Sequence, residues 1–256
     1  MGKYSVLMSL YKKENPEYLV LAIESMLKQT IAPDEIVIVK DGSLTDELDK
    51  VVNDYCNKYP KMFTIVINER NLGLGLALNN GLQSCRNQLI ARMDTDDISK
   101  PQRCEKQLKE FENDNALDIV GCYVDEFFDD PNCVISTRKV PITQSEIYDF
   151  AKRRSAFNHP AVMYKKETVQ NNHGYSDLKR NQDVDLFGRM LFSGCKARNI
   201  PEALLLFRSN DNLAKRRKSW ENSISYIRTI KKFWKMGYAN FGDYVFVAIA
   251  QTGMYA

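Results

Sequence analysis

The stretch QLIARMDTDDISKPQR, residues 88–103, carries the reading of the fold. A short apolar run, Leu89-Ile-Ala91, leads into Arg92-Met93, and three carboxylates, Asp94, Asp96 and Asp97, follow within four residues. Pro101 then opens a helix. An apolar run of this length, stopped by polar residues, reads as a strand buried on both faces. The aspartates therefore fall at its carboxyl end. In an extended backbone Asp94 and Asp96 point to the same side, and their charges repel. A divalent cation would offset that repulsion and gain hard oxygen ligands. The same residues could instead favour the start of the Pro101 helix, because carboxylates stabilise a helix N-terminus. By themselves the residues leave both readings open.

Outward from this stretch, the same alternation recurs. Apolar runs at 5–10, 35–39 and 64–67 have strand length. Asn15-Pro16-Glu17 starts a helix in which Leu19, Ala22, Ile23, Met26 and Leu27 share one face. A polar helix is expected over 45–58, a loop over 71–75 and a helix over 76–85. Strands alternating with helices predict an α/β fold, with a Rossmann-like, mainly parallel central sheet flanked by helices. Ligands of such sheets bind beyond the carboxyl ends of the strands. Tyr11, Asp41, Asn71 and Asp94 all follow strand ends, so four separate pieces of chain converge on one rim. After a helix at 101–113 the rhythm loosens. Strands are expected at 118–121, 133–136, 161–164 and 204–207, with a helix at 183–192.

The chain has 256 residues, 44% hydrophobic and 27% charged, an ordinary globular balance and long enough to bury a sizeable core. Its six cysteines form no Cys-x-x-Cys pair and no zinc-like spacing with histidine, which reads as reduced thiols in a cytosolic protein. The start lacks a signal-peptide pattern, and Val6 stands where a myristoylation signal needs Ser or Thr. No run approaches the roughly 18 apolar residues of a membrane span. Residues 1–207 carry 27 Lys/Arg against 30 Asp/Glu, whereas 208–256 carry 9 against 3. The expected division is a main domain at 1–207 followed by a basic amphipathic helical tail at 208–256. In that tail Ile227, Ile230 and Trp234 repeat at helical spacing. Such a helix either lies on an anionic membrane or packs on the domain. No nucleic acid partner is expected.

Six segments, in order, resemble family 2 glycosyltransferases of the GT-A fold, of the bacterial surface-polysaccharide type, over roughly 4–210. They are SVLMSLYKKENPEYLVLAIESMLKQT, DEIVIVKDGS, NLGLGLALNNGL, ARMDTDDISKPQRCEKQ, NHPAVMYKK and NQDVDLFGRML. The resemblance implies an inverting, metal-dependent enzyme that moves a hexose or N-acetylhexosamine from a UDP-sugar to a glycan acceptor linked to polyprenyl diphosphate. It makes 1–207 a catalytic domain, with a nucleotide-binding half to about 100 and an acceptor-side half at 101–207, and implies Mn²⁺ or Mg²⁺ held by Asp96 and Asp94. It sets Tyr11 against the nucleotide base, with Glu14 in the same loop, and has Asp41 accept from the base. Asn71 and Gly73 let the backbone approach the nucleotide, while Arg92 and His159 lie toward the ribose, diphosphate or acceptor. Asp183 becomes the base that takes the acceptor proton. Lys40, Leu78 and Gln182 depart from the residues most frequent in the family. Arg208, Arg216 and Arg217 fall where relatives carry a loop that closes over the diphosphate. The implied location is cytoplasmic, peripheral on the inner face of the plasma membrane. The rival readings are a nucleotidyltransferase, against which the absence of a Gly-rich loop after the first strand counts, and a non-catalytic module binding a nucleotide or membrane.

Overall fold

Strands β1 (Tyr4–Leu10) and β2 (Glu35–Asp41) pair in parallel, with Ser5 opposite Glu35 and Leu10 opposite Lys40. β3 (Phe63–Asn68) and β4 (Leu89–Arg92) flank them, also parallel. These four strands end on one side, which puts the residues after them on a common rim. The computed structural model describes residues 2–209 and 219–253; Arg216 and Arg217 lie outside them.

Helices α1 (Pro16–Leu27), α2 (Asp46–Lys58) and α3 (Leu74–Ser84) make the crossovers. Asn15 caps α1 through its side chain and Thr45 caps α2. Strand residues alternate between the faces. Val6, Met8, Ile36 and Ile38 face α1 and α2, while Leu7, Val37 and Val39 face α3. Burial on both sides is why these strands read as unbroken apolar runs. A β-carbon on Gly81 would overlap Leu7 and Val39, so this glycine lets α3 lie close to the sheet.

The second half adds β5 (Ile98–Ser99), α4 (Arg103–Asn113), β6 (Leu117–Phe127), β7 (Ser136–Arg138) and α5 (Gln144–Ala151). A short 3-10 turn (His159–Ala161) precedes β8 (Met163–Lys165), α6 (Lys166–Asn171), α7 (Gln182–Phe192) and β9 (Lys196–Arg208). The sheet order is β3-β2-β1-β4-β8-β6-β9-β5, with β7 paired to β6. β8 runs antiparallel to β4 and β6, so the sheet is mixed beyond its parallel half.

Several expected boundaries move. α3 begins at Leu74, two residues early, because Gly73 (φ 88°) turns the chain directly into the helix. Residues 133–135 are exposed loop, and the strand expected there starts at Ser136. The short strand expected at 204–207 is the end of the 13-residue β9. Pro201 and Glu202 disguise it, since proline cannot donate to a ladder. The ladder skips them at an irregularity between Cys122 and Tyr123 of β6.

Two further helices follow, α8 (Trp220–Lys235) and α9 (Phe241–Thr252). Asn240 and Asp243 form a reciprocal capping box that starts α9. Ile230 and Phe233 are fully buried in the core beside α7. The apolar face of the basic tail is therefore packed against the domain. Lys232 reaches Asp185, a fully buried carboxylate of α7, at 2.5 Å. No helix among the described residues is long and apolar enough to cross a membrane.

Candidate active site

Asp94, Asp96 and Asp97 follow β4, and their carboxylate oxygens lie within 4.8 Å of one another. They have different jobs. Asp97 is fully buried, and its Oδ1 accepts from the backbone N–H of Arg208 at 2.8 Å, tying the acidic loop to the end of β9. Burial, then the charges of Asp96 and Asp94, push its carboxyl well above the ordinary range. Asp94 and Asp96 instead line a cavity of about 420 Å³ on the rim. Burial, then the charge of Asp94, raises the Asp96 carboxyl to about 6. The two carboxylates fit a hard divalent cation, which would hold both in their ionised form.

The sequence stretch around Ser25 and Gln29 holds this loop in place. Ser25 Oγ accepts from Ser99 N at 3.0 Å. Gln29 Nε2 donates to the Lys100 carbonyl at 2.9 Å, and its Oε1 accepts from Cys104 N at 3.0 Å. One buried amide side chain thus joins the end of α1 to the start of α4. Arg208 closes the other side. Its Nε donates to the Asp96 carbonyl at 2.9 Å, while its guanidinium stacks on Tyr18 at 3.7 Å and on Phe127 at 4.6 Å.

Tyr11, Glu14, Asp41, Asn71 and Gly73 line the same cavity. Asp41 is nearly buried and clamps the loop after β3. Its Oδ1 accepts from Asn68 Nδ2 and Leu72 N, both at 2.9 Å, and its Oδ2 accepts from Gly73 N at 3.0 Å. Asn71 Nδ2 donates back to the Asp41 carbonyl at 3.2 Å. A β-carbon on Gly42 (φ 84°) would collide with the Asn71 backbone, so Asp41-Gly42 and Asn71 depend on each other. Most of Asp41's accepting capacity is spent on this loop, with one lone-pair position of Oδ2 left for a ligand.

Asp183 stands in the first turn of α7, on the opposite wall. Burial raises its carboxyl above the ordinary range, against the pull of the amides of Val184 and Asp183 itself. It also borders a second cavity, of about 490 Å³, which shares Leu74, Asp94, Asn181 and Phe207 with the first. Arg92 and His159 line this second cavity and not the first. Arg92 is 1% exposed and pairs with Asp94 at 2.5 Å. Burial opposes its charge, yet Asp94 holds its pKa above the usual value. His159 Nε2 lies 2.9 Å from the Tyr175 hydroxyl. Burial and the Arg92 charge press its pKa well below the usual value, so the ring is neutral.

The structure also brings Lys179, Arg180 and Asn181 to the first cavity. Sequence reading passed over them. Asn181 caps α7 in a left-handed conformation (φ 59°), which turns the chain so that Asp183 faces inward. The available signal was the run Lys179-Arg180-Asn181 just before the acidic helix start; nothing local told it from a solvated loop.

A parallel half-sheet that gathers these groups on its rim, continued by a mixed half bearing Asp183, is the GT-A fold of nucleotide-sugar-dependent transferases. The mannosyltransferase PcManGT from Pyrobaculum calidifontis, solved with GDP-Man and Mn²⁺, superposes with a TM-score of 0.70 over 99% of this chain and 70% of its own, at 14% identity. Residues 5–171 match the profile of Glycosyl transferase family 2. The chain is 36% identical, over 95% of its length and 87% of the relative's, to the UDP-Gal:alpha-D-GlcNAc-diphosphoundecaprenol beta-1,3-galactosyltransferase of Escherichia coli. It is 35% identical, over 98% and 88%, to the amylovoran biosynthesis glycosyltransferase AmsE of Erwinia amylovora. The chain belongs to glycosyl transferase family 2, and it is a glycosyltransferase.

Proposed function

We propose that this glycosyltransferase inverts the anomeric centre while moving a hexose or N-acetylhexosamine from a UDP-sugar to a polyprenyl-diphosphate-linked glycan, in the assembly of a surface polysaccharide. The observation that carries this reading is the position of Asp183 on the wall between two cavities. Donor and acceptor can then meet across one carboxylate. The raised pKa of Asp183 suits a base that must accept a proton and hold it through the displacement. The relative that acts on a UDP-Gal donor and a diphosphoundecaprenol-linked acceptor supports both substrate classes.

In this reading Tyr11, Glu14, Asp41, Asn71 and Gly73 receive the nucleoside. Asp96 and Asp94 hold Mn²⁺ or Mg²⁺, which supplies Lewis-acid neutralisation of the departing diphosphate. Lys179, Arg180 and Arg208 add positive charge on the same cavity. The acceptor hydroxyl gives its proton to Asp183 as its oxygen attacks the anomeric carbon, and UDP leaves from the opposite face. The domain is taken as 1–207 and the helical tail as 208–256. Peripheral contact of the tail with an anionic membrane, on the cytoplasmic side, belongs to the same reading. Phe241, Phe246 and Ile249 of α9 remain exposed for it, since the apolar face of α8 is used in packing.

The test is nucleotide release from a panel of UDP-, GDP- and dTDP-sugars, with Mn²⁺ and with chelator. Metal-dependent release from one UDP-sugar is expected. No nucleotide binding by calorimetry on the whole panel would overturn the reading.

A further inference from the structure

The two cavities that meet at Asp183 differ in charge. The donor cavity is lined by five carboxylates, those of Glu14, Asp41, Asp94, Asp96 and Asp183, against three cations. The second is lined by four cations, Arg92, Arg138, Lys139 and Arg154, against the two carboxylates of Asp94 and Asp183. Asp94 is paired to Arg92 and Arg138 to Glu126, so Lys139 and Arg154 carry the uncommitted positive charge, against Asp183, the proposed base. An acidic cavity accepts a diphosphate only with a metal ion; a basic one accepts it directly.

The cations of the second cavity are partly uncommitted. Lys139 is exposed and has no ion pair among the described residues. Arg154 is exposed, flanks the Phe150 ring at 5.9 Å and has no ion pair among the described residues. Arg138 pairs with Glu126 and stacks on Phe207 at 4.7 Å, which fixes its fork at the cavity wall. Buried behind them, Arg92 leaves Nε and Nη1 without hydrogen-bond partners. Unpaired buried guanidinium donors are costly, and an anion or its attached hydroxyls would satisfy them. Phe150, 37% exposed, lines the same cavity and gives an apolar exit toward Phe246 and α9.

We propose that Arg138, Lys139 and Arg154 bind the diphosphate of a lipid-linked acceptor, so that the enzyme recognises its acceptor by the anion beside the first sugar. This rests on the transferase reading above. An acceptor of one or two sugars keeps the attacked hydroxyl and the diphosphate within one cavity's width. The hydroxyl then faces Asp183, the diphosphate meets the cations, and the prenyl chain leaves past Phe150. The anion would set the acceptor's register while requiring little of its sugar.

Geranyl diphosphate is a soluble probe of this site. Calorimetry is done on protein saturated with UDP and excess Mn²⁺, so that the donor cavity is filled, for the wild type and for Lys139→Ala/Arg154→Ala. Both substituted side chains are exposed, so the fold is retained. UDP binding, measured first on both proteins, reports on the donor reading separately and is expected to be unchanged. Geranyl diphosphate is expected to bind the UDP-saturated wild type and to bind the double variant at least tenfold more weakly. Equal affinity in the two proteins, or no binding beside bound UDP, overturns the proposal. Equally tight binding of geraniol would assign the site to the chain alone, and equally tight inorganic diphosphate would remove the lipid; either result also overturns it.

Discussion

Arg92 Nη2 lies 2.5 Å from Asp94 Oδ1, and the guanidinium is almost entirely buried. Of the two carboxylates that line the first cavity after β4, one is thereby neutralised from behind by the protein. The other, Asp96, has no ion pair among the described residues, and burial beside Asp94 disfavours its charge until a cation arrives. This asymmetry makes Asp96 the stronger candidate for the metal.

Asp96→Ala is accordingly expected to weaken Mn²⁺-supported UDP binding by at least tenfold, a change of about 1.4 kcal/mol. Calorimetry with and without Mn²⁺ checks it. Binding that is identical in wild type and variant under both conditions would remove the metal from this site.

The raised pKa of Asp96 fixes the sign of a pH effect. Between the ordinary value of 3.8 and the folded value of about 6 the folded protein holds an extra proton, so this group's contribution to stability falls as pH rises through that window. A cation prefers the ionised form and must displace that proton. Mn²⁺-supported UDP affinity should therefore rise with pH and level off above about 6, and at pH 5 stand about tenfold below its plateau. An affinity flat from pH 5 to 7.5 would contradict this.

Asp183→Asn keeps the shape of the cavity wall and removes the proposed base. Turnover should fall by about 10²- to 10⁴-fold, while UDP binding changes little. In the wild type, kcat/KM should fall as pH drops through the raised pKa of Asp183, above the ordinary carboxylate range. Loss of UDP binding instead would reassign Asp183 to donor recognition.

Asp97 separates two roles of a buried carboxyl. Its folded form favours the proton, so Asp97→Asn should stay within about 1 kcal/mol of the wild type. Asp97→Ala strips the acceptor from the Arg208 amide and should destabilise by about 1–3 kcal/mol. Chemical denaturation of the metal-free proteins measures both, and equal losses would count against the assignment.

Phe233 of α8 lies directly over Gly188 of α7, where any β-carbon would overlap its ring. Phe233→Ala should destabilise by about 3–5 kcal/mol, and Gly188→Val should also destabilise by forcing the helices apart. A tail that unfolds separately would instead leave the main transition unmoved in thermal melts.

Sequence alone determined the parallel half of the fold and most of the residues that meet on its rim. β1, β2 and β4 are local apolar runs, and Tyr11, Asp41, Asn71 and Asp94 stand at or just past strand ends whichever way the rest of the chain folds. A strand buried on both faces announces itself in its own residues, and a rim follows from parallel order. Tertiary structure decided the rest, because it depends on contacts distant in sequence. Pro201 hid β9 until pairing with β6 showed where the ladder skips it. Arg92, next to the aspartates in sequence, turned to the second cavity, and His159 joined it there as a neutral partner of Tyr175. Asp41 became the clamp of a loop some thirty residues away. The basic tail showed an amphipathic face, but periodicity cannot name what covers such a face; Gly188 and the buried Asp185 of α7 did. The opposite charge of the two cavities also appears only when side chains from separate elements are brought together, since net charge along the chain carries no information about which wall a charge will face.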